Sequence, residues 1–289
     1  MRDAGLTFSP TRSPGVTMGR LRPAALGTAG TLCATALCTG AAAGADPPQA
    51  RLRAPHTITV GRSSTVAPHS GIDVNVPCQS PEQSSNGGVR TTGGGVLITA
   101  SWSLAGWDAE VCNESNSPQT VTPVAICTPQ RHTRRSSIPS VRVPAGQSGL
   151  ARASCPAGTV STGGGNIGGP RGASRLYVSQ SSDPGSGEWG VQAFHHSAFE
   201  QTIATQVVCT DTPHSARSSL GTTLGHGFTG TAHVECPDAG EVPTGGGGLG
   251  NPDVQFNESY PTSTGWTVRA TNKGGRPFTF FARVICTRP

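Results

Sequence analysis

The sequence predicts an all-β chain of three tandem antiparallel repeats, each closed by one internal disulfide. Three observations predict it. First, three segments share the same landmarks, reading "VPCQSPEQSSNGGVRTTGGG", "GWDAEVCNES" and "VTPVAICT", then "ASCPAGTVSTGGG", "EWGVQAFHHS" and "IATQVVCT", then "VECPDAGEVPTGGGG", "GWTVRATNKG" and "FFARVICT". The closing cysteines Cys127, Cys209 and Cys286 stand 82 and 77 residues apart, and Trp107, Trp189 and Trp266 keep the same two intervals, as internal duplication requires. Second, two-residue alternation recurs, and beyond residue 45 no window of a dozen residues keeps a helical period. Third, the cysteines fall at matching places in every copy.

Residues 1–45 read as a secretory signal. From Met18 two arginines precede a small and apolar run, and Ala43-Gly44-Ala45 before Asp46 has the A-x-A form of a cleavage site. The 17 residues ahead of Met18 would make an unusually long lead, which points to Met18 as the start of translation. The run is alanine- and glycine-rich rather than leucine-rich, a poor membrane span, so a released, extracellular protein is expected. Four Arg and one Asp of the 21 basic and 16 acidic residues lie in this segment, and the remainder carries 17 against 15. Near-neutrality gives no footing for nucleic-acid binding. Lys273 alone among the basic residues is lysine, the coding bias of a GC-rich genome.

An extension over 46–63 leads into repeat 1 at 64–128. A basic linker at 129–137 ("PQRHTRRSSIP" spans it), repeat 2 at 138–210, a linker at 211–218 and repeat 3 at 219–289 follow. Each repeat opens on an alternating segment, "GIDVNVPC", "GLARASC" or "GTAHVEC", after Gly/Ser/Pro punctuation. In the tryptophan strands one face carries Trp107, Ala109 and Val111, or Trp189, Val191 and Ala193, or Trp266, Val268 and Ala270, and is expected to be core. The opposite face, with Asp108 and Glu110, Gln192, or Thr267 and Arg269, is expected to be mostly wet. About five short strands per repeat fit this pattern.

Without Cys33 and Cys38 of the signal, seven cysteines remain, and small secreted modules use them as disulfides. The repeat selects Cys78–Cys127, Cys155–Cys209 and Cys236–Cys286, loops of about 50 residues worth roughly 4 kcal/mol each. Cys112 is left over, in phase with Asp108 and Glu110 and so expected on the outward face, as a free thiol or as the link of a dimer. No C-x-x-C pair suggests zinc.

Gly93-Gly94-Gly95, Gly163-Gly164-Gly165 and Gly245-Gly246-Gly247 recur once per repeat. "GGGGLG" formally matches a dinucleotide fingerprint, but no helix follows and no Walker lysine is present, so no cofactor is expected. Glycines in a strand let a backbone or a ring approach closely, and each tryptophan is expected to cover the glycines of its own repeat. His195-His196 would point to opposite strand faces, which disfavours joint chelation and suggests a turn. Asp238, Glu241 and Asp253 are scattered, and neither G-x-S-x-G nor H-E-x-x-H occurs, so no catalytic or metal-binding residue is expected. Asn113-Glu114-Ser115 and Asn257-Glu258-Ser259 match glycosylation sequons.

The combination C-P-x-G-x-x-x-x-G-G-G, G-W-x-V-x-A-x-N and V-x-C resembles a module of secreted and surface proteins of actinobacteria. The third repeat is closest, and the first departs at "CQSPEQSSNGG" and Cys112. A looser likeness is to vitelline-membrane outer-layer proteins, whose three "CP-x-G" repeats form a three-sided β-prism. The resemblance implies an extracellular β architecture and imports no activity. The expected function is a secreted, non-catalytic binding or structural role at the cell surface, toward an envelope polysaccharide or protein. The alternatives are a carbohydrate-binding β-prism and a hydrolase, the latter requiring His and carboxylate groups that converge from different repeats.

Overall fold

The computed structural model describes residues 55–167, 175–185 and 187–289, and these contain 21 β-strands and no helix. The first repeat supplies β1 (Thr57–Val60), β2 (Ser64–Val66), β3 (Gly71–Pro77), β4 (Gln83–Thr91), β5 (Val96–Ser103), β6 (Gly106–Asn113) and β7 (Gln119–Thr128). The second supplies β8 (Thr133–Ser136), β9 (Val141–Val143), β10 (Ser148–Ser154), β11 (Val160–Ile167), β12 (Leu176–Ser182), β13 (Glu188–His195) and β14 (Gln201–Thr210). The third supplies β15 (Ser215–Ser218), β16 (Thr222–Leu224), β17 (Thr229–Glu235), β18 (Val242–Leu249), β19 (Val254–Pro261), β20 (Gly265–Asn272) and β21 (Phe278–Thr287).

Each repeat therefore has seven strands rather than five. The two additional ones are short. β8 and β15 lie inside the segments expected as linkers, and β1 inside the expected extension; they pair with β14, β21 and β7. "TRRS" and "SARS" are polar edge strands with no apolar alternation to betray them.

Within a repeat the strands form two layers. In repeat 1, β4 and β1 flank β7 with β2 also on β7, while β3 and β5 flank β6. Trp107, Trp189 and Trp266 are fully buried on the core face with their alternating neighbours, as the period-two pattern requires. Each indole Nε1 donates to a serine of the preceding strand, Ser101 at 2.8 Å, Ser181 at 3.1 Å and Ser259 at 3.0 Å. The disulfides Cys78–Cys127, Cys155–Cys209 and Cys236–Cys286 each close one repeat.

The sheets do not stop at the repeat boundary. Three seven-stranded sheets each join the β4-type layer of one repeat to the β5-type layer of another, through the single pairs Val89↔Ser259, Asn166↔Ser101 and Gly248↔Ser181. Repeat 1 thus joins repeat 2, repeat 2 joins repeat 3, and repeat 3 returns to repeat 1. The strand order is that of the threefold arrangement, with equivalent positions set around one pseudo-threefold axis. β-Bulges recur at equivalent places, Ser84/Asn86, Ser161/Gly163 and Pro243/Gly245, and add local twist where the strands turn toward that axis.

This closure explains the glycines. A Cβ on Gly88, Gly165 or Gly247 would run into the backbone carbonyl of Ser259, Ser101 or Ser181 across the seam, and one on Gly164 or Gly246 into Trp189 or Trp266. In repeat 1 the tryptophan covers Gly87, so the equivalent run is Asn86-Gly87-Gly88, not Gly93-Gly94-Gly95. Gly93–Gly95 lie half-buried in the turn between β4 and β5. The reason is space: Gly163 and Gly245 both abut Asn86, whose Nδ2 donates to the Gly246 carbonyl at 2.9 Å. The centre admits one side chain, and two glycines make room for it.

Closure also corrects the expected exposure of the second face. Glu110 and Cys112 are 3% and 6% exposed, and Thr267 and Thr271 are buried as well. Burial of this face is confined to part of its length, since Asp108, Gln192 and Arg269 remain partly exposed.

Candidate functional site

At the end of the axis where β6, β13 and β20 terminate, the three repeats line an open cleft of ≈330 Å³. Its walls come from equivalent positions. Leu97, Tyr177 and Gln255 pair in register with Cys112, Phe194 and Thr271 near the starts of their strands. Glu114, His196 and Lys273 are the first residues beyond β6, β13 and β20, and Arg175 completes the lining. The residues before them anchor the loops. Asn113 and Asn272 are fully buried and donate to the carbonyls of Ser117 and Arg276, and buried His195 bonds the Ser197 hydroxyl through Nε2 at 2.7 Å. The adjacent histidines do face opposite ways, one anchoring its loop and one lining the pocket.

One wall is a polar cluster around Glu114. Its Oε1 accepts from the Tyr177 hydroxyl, from Arg175 Nη1 and, at 3.4 Å, from the Cys112 thiol. Burial pulls this carboxyl upward, but the bonds from Tyr177 and Cys112 and the Arg175 charge outweigh it and hold it below the usual carboxylate range. Burial pushes the Cys112 thiol up, beyond what Arg175 offsets, and raises the Tyr177 phenol, helped by its bond to Glu114. Cys112 packs with Leu97 and Tyr177, so the expected outward thiol is a buried one.

On the other wall Gln255 Nε2 donates to His196 Nε2 at 2.6 Å, and the imidazole packs at a tilt against Tyr177 and Phe194 with centroids 4.9 Å and 4.6 Å away. Burial lowers the His196 pKa; Glu114 opposes, while Lys273 and His195 add to the fall. At neutral pH the pocket therefore holds an anchored carboxylate–guanidinium pair, a neutral imidazole and one ammonium. Neither a protein-family model nor a curated protein matches this chain. The pocket's carboxylate and its imidazole are both hydrogen-bonded to neighbouring side chains.

Sequence reasoning named His196 only as half of a pair and gave Glu114, Arg175, Tyr177, Gln255 and Lys273 no role. The available signal was the repeat alignment itself, in which one column reads Glu, His, Lys. Asp238, Glu241 and Asp253 do not line the pocket. Asn113 and Asn257 have buried amides bonded to backbone carbonyls, so neither sequon offers a free amide in the folded chain.

Two other constellations stand apart. His56, His132 and His214 occupy one equivalent position, immediately before β1, β8 and β15. His132 is pushed down to about 4 by burial first, then by His56 and Arg134. Among the described residues no group of three or more His, Cys, Asp and Glu could hold a metal ion. On the outer face of the β3–β6–β5 layer, Asn75, Asp108 and Trp102 form one cross-strand row beside Asp73, bordering a groove of ≈170 Å³. Among the described residues no helix is long and apolar enough to cross a membrane.

Proposed function

We propose that this chain is a secreted, non-catalytic binding protein whose three repeats jointly build one ligand pocket at the end of their common axis. The observation that supports this reading is the convergence of unlike, mostly polar residues from equivalent positions of all three repeats on one cleft at that end. Along the seams the three repeats repeat themselves: a glycine under each tryptophan, a serine on each indole, a disulfide in each repeat. At the pocket the same positions carry Leu, Tyr and Gln, and Glu, His and Lys. A purely structural end cap needs neither three unlike ionisable groups nor a cleft in the range of small-molecule sites. The three disulfides suit an oxidising, extracellular setting.

The test is a titration of the ¹⁵N-labelled mature protein with anionic, neutral and cationic small molecules, followed by two-dimensional NMR. Saturable shifts confined to the amides of residues 114, 196 and 273 and to the Gln255 side chain are expected. If no compound moves those signals, the reading fails.

A second reading, carbohydrate binding on the outer face, draws on the Asn75–Asp108–Trp102 row, since an indole offers a flat apolar surface and the amide and carboxylate offer polar partners. It expects Trp102→Ala to lose retention on a polysaccharide column; unchanged retention refutes it.

A further inference from the structure

We infer that the axial pocket selects a small monoanionic ligand, a hydroxylated carboxylate, with Lys273 receiving the carboxylate group. The inference rests on the binding reading above and adds the chemistry of the ligand.

Charge decides the sign. Arg175 bonds Glu114 directly, so those two groups cancel within the wall. His196 is kept neutral by burial and by the nearby Lys273 charge. The exposed ammonium of Lys273, which forms no ion pair among the described residues, is the charge left over. A compact ammonium with three rotatable donors receives one anionic group as a point charge, without the bidentate geometry that a planar guanidinium fork imposes. The residue type is informative here, because every other basic residue of this chain is arginine. A composition that fills basic positions with arginine has placed its one lysine at the pocket's mouth.

Glu114 sets the limit on ligand charge. With Oε1 occupied by three donors it stays ionised and takes up the Arg175 charge, so Lys273 alone is left to balance a ligand and a second negative charge would go unpaired, which disfavours phosphate dianions and dicarboxylates. The remaining lining gives the ligand its other features. Gln255 and the Tyr177 hydroxyl are polar groups in reach of ligand hydroxyls, and Leu97 supplies an apolar contact.

The single lysine makes the test selective. Reductive methylation with ¹³C-formaldehyde yields one dimethyl-lysine resonance, separate from that of the N-terminus, and preserves the charge. The modified protein is titrated with D-glucuronate, D-glucose, L-lactate and inorganic phosphate, and the unmodified protein and its Lys273→Gln variant are titrated by amide NMR. Glucuronate is expected to shift the lysine and Gln255 signals saturably, glucose and phosphate to bind at least about tenfold more weakly, and Lys273→Gln to lose about tenfold or more in glucuronate affinity. Equal binding of glucose and glucuronate, or an unchanged affinity in Lys273→Gln, overturns the carboxylate assignment while leaving a binding pocket. Silence toward both glucuronate and lactate overturns the assignment too. The binding reading itself fails only when the wider neutral and cationic panel is also silent.

Discussion

Replacing Gly247 by alanine should break one seam of the ring. A Cβ at that position would lie 2.9 Å from the Ser181 carbonyl carbon and closer still to its oxygen, where ordinary contact begins at 3.4 Å. Both partners are backbone, so no rotamer change relieves the clash. β12 and β18 must separate, and their only registered pair is the adjacent Gly248↔Ser181. Losing one or two hydrogen bonds at about 1 kcal/mol each, with overpacking at about 1–3 kcal/mol, gives a cost of roughly 2–5 kcal/mol. In a body of this size each kcal/mol moves Tm by about 2–4 °C, so Gly247→Ala should melt roughly 4–20 °C lower in calorimetry of the oxidised protein. Gly275 is the control, since a Cβ there meets nothing within 4 Å; Gly275→Ala should stay within about 0.5 kcal/mol of the parent. A Gly247→Ala protein that melts with the parent refutes the seam argument.

Three further outcomes are expected. Replacing Cys155 and Cys209 together by serine, which opens a loop with a sequence separation of 54, should cost about 4 kcal/mol in urea unfolding; a loss below about 1 kcal/mol contradicts it. His132 is held near 4 in the folded protein against an unfolded value of 6.5, so its contribution is fully present above pH 6.5 and is lost as pH falls toward 4. That window should remove about 3 kcal/mol, and His132→Asn should flatten the fall in denaturant midpoint between pH 7 and pH 4. The Cys112 thiol, buried and raised, should react with a disulfide reagent at least about a hundredfold more slowly in the native protein than in guanidinium; fast native labelling would place it at the surface.

The repeats, the pairing of Cys78, Cys155 and Cys236 with their partners and the buried tryptophan face were legible because Cys and Trp are scarce and their spacing survives divergence. The glycine phase of repeat 1 was not. Matching runs of three glycines selects Gly93–Gly95, whereas the bulge and strand register select Asn86-Gly87-Gly88, and only the shared central space explains why asparagine stands there. Edge strands such as β8 left no trace because their side chains are polar and show no apolar alternation. The pocket was invisible for a different reason: Glu114, Tyr177 and Gln255 are brought together by the ring, and nothing local in a chain announces contacts between residues 63 to 141 positions apart.

A ring of three has no intrinsic first member. The chain passes from Thr128 to Thr133 and from Thr210 to Ser215 through equivalent four-residue links, and the corresponding step from Thr287 to Thr57 is the one it leaves open. Bridging that step with a short linker and cutting between Thr128 and Thr133 would give a circular permutant that keeps every sheet, seam and disulfide. The same closure delays assembly: Val89 finds Ser259 only after 170 residues of further chain, so a nascent first repeat holds half of an unfinished sheet until the third emerges.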